Sequence, residues 1–270
     1  MRKKIQPADL EKDRNFDDLA PRFRRKVYGG LKGGIRLAVL EKDLKEFFPQ
    51  ALLPTSQGPP LNILDAGGGT GPFSIGMAKL GHRITLCDLS EKMLDQAQAD
   101  FWALGLSDRL ELFHGPIQEH QPKSLSGYDL VLCHAVLEWV HDPKELIRHL
   151  MRLLTANGML SLTFYNLAGM IFKNLLRTNY KKIMEKDYSG LPGGLTPSCP
   201  LKSEEVLGLL SSYPFQVLCH SGMRVFHDYI LDIRDREKGP ETVVALELEF
   251  SRQVPYRDMG RYQHILGRRI

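Results

Sequence analysis

Residues 61–71 constrain the fold more than any other part of this 270-residue chain. They read Leu-Asn-Ile-Leu-Asp-Ala-Gly-Gly-Gly-Thr-Gly, an apolar run that reaches an acid and then four glycines within five positions. A buried strand that ends in a glycine-rich turn and opens a helix explains this order, because glycine tolerates a left-handed backbone and lets a ligand approach the main chain. The helix after such a turn presents free N–H groups and the positive end of its dipole. The stretch therefore predicts a ligand site at a strand-to-helix turn.

A second acid indicates what kind of ligand this is. Residues 82–90 form a largely apolar run that reaches Asp88, near the distance at which nucleotide-binding βαβ units carry an acid for the ribose hydroxyls. The alternative for Asp88 is a cap of the next helix, but Ser90 is the better cap. The spacing D-x-G-x-G-x-G, which begins at Asp65, resembles the first motif of S-adenosylmethionine-dependent methyltransferases rather than the dinucleotide motif G-x-G-x-x-G. Together the two acids and the glycines predict an adenosyl-type cofactor.

Strand and helix patterns alternate along most of the chain. A helical pattern covers about 35–48, and an insertion with no clear pattern covers 166–200. Strands are predicted at 61–66, 83–88, 109–114, 128–134, 158–164, 215–220 and 260–266, and further helices at about 71–80, 90–104, 143–155, 203–212 and 240–252. This order predicts an α/β fold with a doubly wound, mostly parallel seven-stranded sheet. We expect one domain: a basic helical arm (1–50), a cofactor-binding core (61–164), a substrate-cap insertion (165–200) and the C-terminal part of the sheet (201–270).

Charge is unevenly distributed in the N-terminal arm. Between positions 21 and 36 there are six basic residues and no acid: Arg22, Arg24, Arg25, Lys26, Lys32 and Arg36. A run of one sign is typical of an anion-binding segment, although a plain surface arm remains an alternative.

Other compositional features exclude several classes of protein. The chain is 43% apolar, but it has no stretch of the roughly 20 apolar residues that a membrane span needs. The N-terminus has no apolar signal core, so we expect a cytoplasmic protein. The four cysteines have no C-x-x-C spacing and indicate neither disulfides nor a metal site.

The residues after the fourth predicted strand restrict the chemistry. An Asn/Asp-Pro-Pro-aromatic run, which amino-adenine methylation uses there, is replaced by residues 133–139, Cys-His-Ala-Val-Leu-Glu-Trp. Cytosine-ring methylation needs a cysteine after a proline, whereas Cys199 follows Ser198. An oxygen, or an unusual nitrogen, is left as the methyl acceptor.

Several segments together resemble the bacterial tRNA 5-carboxymethoxyuridine methyltransferase family. They are residues 13–18, 64–69, 86–90, 134–140, 164–166, 225–229 and 260–262. The resemblance spans about 13 to 264 and is most specific at 134–140 and 225–229. It implies transfer of a methyl group from S-adenosylmethionine to the carboxylate of 5-carboxymethoxyuridine at the tRNA wobble position. The chain departs from the family in its N-terminal extension and in Thr70.

The resemblance also implies a cofactor site. Its predicted contacts are Arg36, Gly67, Gly68, Asp88, Ile117, Gln118 and His134, and we include Asp65, Gly69 and Leu89 from the same two motifs. Arg36 can hold a carboxylate with two hydrogen bonds, and Asp88 suits a ribose diol. The alternative for His134 is a core histidine bonded to a carbonyl.

The acceptor carboxylate needs positioning rather than a base, because it is already ionised at neutral pH. Candidates to bind it are Arg224, His227 and Arg261, with Tyr165 and Tyr229, and also Tyr262, as donors or stacking partners. The alternative for all of them is structural packing.

The anticodon loop of tRNA is the expected partner, because unstacked bases are recognised by stacking and splaying. Phosphate contacts are expected from 22–36 and from Lys173, Arg177, Lys181 and Lys182. Two other classes stay open: an enzyme acting on a small carboxylate or hydroxyl metabolite, and a non-catalytic cofactor- or RNA-binding scaffold. The sequence leaves the oligomeric state open.

Overall fold

The computed structural model describes residues 13–18, 29–122, 127–188, 196–197 and 199–270. The predicted phosphate contacts at Arg22, Arg24, Arg25 and Lys26 lie outside the described residues, as does the glycine-containing loop 190–194.

Seven strands form one sheet, which confirms the predicted α/β fold. The strands are β1 (Asn62–Ala66), β2 (Arg83–Asp88), β3 (Leu110–His114), β4 (Tyr128–His134), β5 (Leu154–Tyr165), β6 (Phe215–Met223) and β7 (Tyr262–Arg269). Their order across the sheet is β3-β2-β1-β4-β5-β7-β6. Neighbours from β3 to β5 are parallel, and β7 runs antiparallel between β5 and β6. The sheet is therefore mostly parallel, as predicted.

Helices cover both faces of the sheet. They are α1 (Gly30–Phe47), α2 (Ser74–Lys79), α3 (Glu91–Ala103), α4 (Pro143–Leu153), α5 (Leu167–Leu176), α6 (Tyr180–Met184), α7 (Ser203–Leu210), α8 (Pro240–Phe250) and α9 (Tyr256–Met259). Leucines and other apolar residues of α1, α2 and α3 pack on one face, and those of α4 and α7 pack on the other. Two covered faces explain why successive residues of β1 and β4, such as 63–66 and 130–133, are buried rather than alternating between buried and exposed.

Local chemistry sets where two of these helices begin. The Ser90 hydroxyl accepts a hydrogen bond from the Met93 N–H at 3.3 Å, so Ser90 caps α3 as the sequence predicted. Asp142 caps α4, and Pro143 occupies its first position, where the missing N–H costs nothing.

The structure differs from the predicted elements in two places. β5 begins at Leu154, four residues before the strand predicted at 158–164, and residues 155–158 form a bulge between the pairs Tyr128–Leu154 and Leu130–Met159. Asn157 takes the left-handed backbone that its turn chemistry favours, with φ 63°. The extra residues are thus absorbed without ending the strand. The predicted insertion contains α5 and α6 in its described part.

Within the described residues, none of the helices combines the length and the apolar character required to span a membrane.

Candidate active site

The glycine turn follows β1 at the carboxyl edge of the sheet. Gly67 has φ 71°, and a Cβ there would lie 2.5 Å from Cγ2 of Val136. A Cβ on Gly68 would clash with the carboxyl group of Asp65, whose Oδ2 it would approach to 2.6 Å. The turn thus needs glycine both for its backbone angles and for its close packing.

Asp65 supports the turn from below and does not line the cleft above it. Its side chain is 5% exposed, and burial raises its pKa to about 6, with the charge of Asp88 adding to the effect. Its place under Gly68 explains why the motif carries an acid, but it does not bring that acid to the cleft.

A cleft opens above the turn, at the carboxyl ends of β1, β2 and β4. All of the other predicted cofactor residues line it: Arg36, Gly67, Gly68, Gly69, Asp88, Leu89, Ile117, Gln118 and His134. The fold thus gathers residues from five separate segments at one place, as open α/β sheets do for their ligands.

Backbone donors hold the Asp88 carboxylate at the wall of this cleft. The Gly69 N–H donates to Oδ2 at 2.9 Å, and the Ser90 N–H donates to Oδ1 at 2.8 Å. Burial raises the pKa of Asp88, and these two donors oppose that rise. Each oxygen keeps a further lone pair, so the carboxylate can still accept from a diol.

Gln118 has an unused acceptor at the cleft. Its Nε2 donates to Oδ2 of Asp13 at 3.1 Å, whereas its Oε1 is buried and has no partner among the described residues. A buried acceptor without a donor costs stability, so this atom suits a ligand that brings an N–H group.

A short N-terminal segment, residues 13–18, lies across the cleft, and sequence reasoning gave it no role. The Asp13 carboxylate accepts from the His141 N–H at 2.7 Å, and the Asn15 amide donates to the Leu89 carbonyl at 2.9 Å. Asp13, Arg14 and Phe16 line the cleft. Asp17 fastens the segment further, because its Oδ1 accepts from the Ser90 hydroxyl at 2.6 Å. The only signal in the sequence was the resemblance at these positions, since the segment has neither periodicity nor a metal or catalytic pattern.

His134 stands at the end of β4 and faces the cleft. Its Nε2 lies 2.8 Å from the Ser161 hydroxyl, and the ring centroid of Phe73 is 5.5 Å from its own. Burial lowers the pKa of His134 well below its usual value, and the nearby His264 and Arg36 add to this. The imidazole is therefore neutral at physiological pH.

Three cationic side chains surround one buried carboxylate, that of Asp228, which is 3% exposed. Lys173 Nζ lies 2.9 Å, Arg261 Nε 3.1 Å and Arg224 Nη2 3.7 Å from its Oδ2. Burial by itself raises the pKa of Asp228, but these cations, Arg224 foremost, hold it far below its usual range. Three cations share one carboxylate, so this cation cluster (Lys173, Arg224, Arg261 and Asp228) keeps an excess of positive charge.

Tyr262 connects the cation cluster to the cleft. The guanidinium carbon of Arg36 lies 4.6 Å from the centroid of its ring, and that of Arg224 lies 5.4 Å from it. Both distances are within the range of cation–π attraction. Arg36 lines the cleft and Arg224 belongs to the cation cluster, so the Tyr262 ring lies between the cleft and the cluster.

Tyr165 also borders the cation cluster. Arg261 donates a hydrogen bond to its hydroxyl, and its ring lies 5.4 Å from that of Tyr262. Of the six residues predicted to bind or stack on the acceptor, the structure thus brings Arg224, Arg261, Tyr165 and Tyr262 together.

The side chains of His227 and Tyr229 bond to backbone carbonyls, and Nδ1 of His227 also lies 3.6 Å from Oδ1 of Asp228. His227 is fully buried, and its Nε2 lies 3.0 Å from the Arg236 carbonyl. The Tyr229 hydroxyl lies 3.0 Å from the Gly169 carbonyl and 2.5 Å from that of Met259. Both side chains fasten neighbouring segments, which is the packing alternative that the sequence left open.

Known proteins are similar to this chain over most of its length. Residues 64–160 match the family model of a methyltransferase domain. The chain is 37% identical over 262 residues to the tRNA 5-carboxymethoxyuridine methyltransferase of Escherichia coli K12, with 95% of this chain and 97% of that protein covered. The chain belongs to this family.

More distant relatives agree in fold or in part of the sequence. The magnesium protoporphyrin IX methyltransferase of Synechocystis PCC 6803, solved with bound S-adenosylhomocysteine, has a TM-score of 0.61 at 19% identity and covers 94% of this chain and 96% of its own. A methyltransferase from Aquifex aeolicus has a TM-score of 0.53 at 14% identity, with 99% and 100% covered. The mitochondrial ubiquinone biosynthesis O-methyltransferase of Schizosaccharomyces pombe is 31% identical over 152 residues, or 55% of this chain and 53% of that protein. The two structures share the seven-stranded fold with this chain.

Proposed function

We propose that this protein transfers a methyl group from S-adenosylmethionine to the carboxylate of 5-carboxymethoxyuridine at the wobble position of tRNA, and so forms the methyl ester. The observation that carries the proposal is the cation cluster beside the cleft, in a chain that matches the E. coli tRNA methyltransferase over nearly its full length.

The cleft fits S-adenosylmethionine, which is the cofactor of this enzyme. Gly67 and Gly68 leave space where any Cβ would clash, Asp88 offers acceptors for the ribose, and the orphan Oε1 of Gln118 suits the adenine amino group. Ile117 would pack on the adenine, and Arg36 would hold the methionyl carboxylate. Gly69, Leu89 and His134 complete the wall, while Asp65 keeps the turn in shape.

The cation cluster supplies the acceptor site. Lys173, Arg224 and Arg261 carry three positive charges against the single negative charge of Asp228, so a second carboxylate completes the balance. The side chains of Arg224 and Lys173 are 14% and 16% exposed, so a ligand can still reach both. We leave Tyr229 out of this site because its hydroxyl already bonds to backbone carbonyls. We leave His227 out because it is fully buried, with Nε2 at the Arg236 carbonyl and Nδ1 toward Asp228.

Positioning accounts for the mechanism. When bound, S-adenosylmethionine supplies an electrophilic methyl group, which an ionised carboxylate accepts without a base. The cluster orients the carboxylate toward the cleft, and Tyr262 fixes the distance between the two sites. Asp228 also limits how strongly the cations bind the acceptor, because it already takes part of their charge. A carboxylate held too tightly is a poor nucleophile.

The tRNA partner is supported by cations on the described part of the cap. Arg177 and Lys181 are exposed on and beside α5 and α6. Arg177 is close enough to the cation cluster to lower the pKa of Lys173. Lys173 belongs to the cluster itself, so its predicted role as a phosphate contact is replaced by one at the acceptor. With tRNA as the substrate, the cytoplasm is where the enzyme acts.

A comparison of acceptors tests the proposal. Methyl transfer is measured on tRNA that carries 5-carboxymethoxyuridine, on the free nucleoside, and on a panel of small carboxylates and hydroxyl metabolites. We expect methylation of the tRNA and at most slow methylation of the nucleoside. Methylation of a small metabolite with no reaction on the tRNA would refute the proposed substrate and leave the cofactor site in place.

A charge-reversal variant tests the tRNA surface separately. Replacing Lys181 and Lys182 with Glu is expected to weaken tRNA binding at moderate salt, because phosphate contacts depend on ionic strength. Unchanged activity on tRNA under these conditions would show that this surface is not used.

A further inference from the structure

Gln118 lies on a short turn that follows β3 at the carboxyl edge of the sheet. This single 3₁₀ turn, Ile117–Glu119, is closed by two backbone hydrogen bonds of 3.0 Å. The Gln118 side chain therefore starts from a fixed backbone, next to the buried side chain of Ile117. The orientation of its amide group depends on what that group contacts.

Asp13 holds that amide from the N-terminal segment 13–18, which is 105 positions away in the sequence. Its Oδ2 lies 3.1 Å from Nε2 of Gln118, and its Oδ1 accepts from the His141 backbone N–H at 2.7 Å. One carboxylate thus joins the turn after β3 to the chain after β4. Both Asp13 and Gln118 line the cleft.

The chemistry of the carboxylate decides which way the amide points. The oxygen and nitrogen ends of a glutamine amide have nearly the same shape, so their hydrogen-bond partners distinguish them. Asp13 is partly exposed to solvent, and aspartates in contact with water are ionised at neutral pH. An ionised carboxyl group accepts hydrogen bonds and donates none, so Gln118 turns its NH₂ group to Asp13.

The other end of the amide is then an acceptor that needs a donor. Oε1 of Gln118 is buried and has no partner among the described residues. Turning the amide round does not satisfy it, because Oε1 would then meet the Asp13 carboxylate, which has no hydrogen to give. Only a ligand that brings a donor completes this site.

We propose that Asp13 is a positioning residue that fixes the amide of Gln118 and so makes the site select a purine with a hydrogen-bond donor at ring position 6. Adenine carries an amino group there, whereas hypoxanthine carries a carbonyl oxygen. The inference rests on the proposed placement of the adenine beside Gln118. It adds to that placement a residue that acts on the base through Gln118.

A comparison of two ligands measures this selectivity in the full-length protein. Calorimetry gives the affinity for S-adenosylhomocysteine and for S-inosylhomocysteine, in which hypoxanthine replaces adenine. With the inosyl ligand, Oε1 of Gln118 faces a second acceptor and stays unsatisfied. We expect the wild-type protein to bind the adenosyl ligand about tenfold to a hundredfold more tightly.

Asp13→Asn tests the role of the carboxylate. The side-chain oxygen of the variant is required by the His141 N–H, so the new NH₂ group faces Gln118. Gln118 then turns Oε1 to residue 13 and its own NH₂ group to the base. We expect the preference for the adenosyl ligand to fall at least about fivefold. An unchanged preference would show that Asp13 does not set the amide, and the proposal would be wrong.

Asp17→Asn is the matched control from the same segment. The Asp17 carboxylate fastens the segment at the start of α3, where it accepts from the Ser90 hydroxyl at 2.6 Å. Loosening the segment there is expected to change both affinities by the same factor and to leave the preference as in the wild-type protein. The two ligands also differ at ring position 1, but that difference is common to all variants and cancels when preferences are compared. An equal fall in preference in Asp17→Asn would show that any loosening of the segment is enough, which would overturn the proposal.

A double variant tests whether Asp13 acts through Gln118. Gln118→Met removes the amide, and we expect the preference for the adenosyl ligand to fall. Adding Asp13→Asn should then change the preference no further, because the effects of two residues that act through one contact are not additive. A further change in the double variant would show that Asp13 contacts the base directly, and the positioning role would be wrong.

The same measurements separate this inference from the proposed function. If the wild-type protein binds neither ligand, the proposed cofactor site fails and the inference fails with it. If it binds both ligands equally well, the cofactor site stands and the inference alone is wrong. Neither result depends on the methyl acceptor, which the binding experiments do not contain.

Discussion

The guanidinium of Arg36 lies 4.6 Å from the ring centroid of Tyr262. Arg224 approaches the same ring at 5.4 Å, so one tyrosine separates a residue of the cofactor cleft from a residue of the cation cluster. Methyl transfer requires two ligands at a fixed separation, and a ring held by two cations sets that separation.

Tyr262 is therefore expected to matter for both ligands. Replacing it with Leu removes both cation–π contacts, and we expect kcat/KM to fall about tenfold or more, with weaker binding of S-adenosylmethionine as well as of tRNA. Tyr262→Phe keeps the ring and is the matched control, with a loss of less than about threefold. Steady-state kinetics with each ligand varied in turn measure this. Equal effects of the two variants would show that the hydroxyl, not the ring, is what matters.

Asp228 is expected to stabilise the fold through its three cations. Asp228→Asn leaves those cations without a counter-charge in a buried place, which costs about 3–5 kcal/mol of the free energy of unfolding. Asp235→Asn, at an exposed ion pair with Lys238, should cost less than about 1 kcal/mol. Urea denaturation compares them, and a loss at Asp228 no larger than that at Asp235 would contradict the assignment.

The pH dependence of this contribution follows from the direction of the shift. The pKa of Asp228 is depressed in the folded protein, so its stabilising effect is complete above the unfolded pKa of about 4. The effect is lost as the pH falls below that value toward the folded pKa. We expect the difference in stability between wild type and Asp228→Asn to be constant from about pH 7 to 5 and to shrink below about pH 4.

Lys173 gives the acceptor site a dependence on alkaline pH. Burial lowers its pKa to about 8, against the opposing effect of Asp228. Deprotonation above that pH removes one positive charge, so KM for tRNA should rise as the pH passes through about 8. Lys173→Arg stays charged and should lack this rise. Identical pH profiles of KM for the two proteins would exclude Lys173 from the acceptor site.

The segment 13–18 is expected to hold the cofactor in place. Asn15→Ala removes its 2.9 Å hydrogen bond to the Leu89 carbonyl. We expect about three- to tenfold weaker binding of S-adenosylhomocysteine by calorimetry, because the segment then covers the cleft less firmly. Asn179→Ala, at an exposed asparagine bonded only locally to Asn174, is the control and should bind normally. If the two variants bind alike, the segment does not act as a cover.

The proposed cofactor residues that line the cleft could be predicted because their signals are local in the sequence. The glycine turn and Asp88 each lie at the end of a strand, and the fold brings strand ends together by rule. Asp65 was predicted to contact the cofactor, but it is not among the residues that line the cleft. A motif does not tell which of its side chains faces the ligand. Asp65 supports Gly68 from below.

The residues proposed to bind the methyl acceptor could be predicted only in part. Lys173 and Asp228 are 55 positions apart and meet through tertiary packing alone, so no spacing indicated their ion pair. His227 and Tyr229 were candidates because their side chains could bind a carboxylate. Their sequence did not reveal that Nε2 of His227 and the Tyr229 hydroxyl meet backbone carbonyls. The hydrogen bonds that link His134, Ser161, His264 and Asp43 could not be predicted from sequence patterns either. They depend on the register of three strands and on the position of one helix.

The most direct measurement is mass spectrometry of the wobble nucleoside after incubation of the protein with S-adenosylmethionine and tRNA that carries 5-carboxymethoxyuridine. The account predicts a gain of one methyl group that mild alkali removes, since an ester is hydrolysed under these conditions and a methyl group on a ring atom or a ribose oxygen is not. An unmodified nucleoside, or a methyl group that resists alkali, would contradict transfer to the carboxylate.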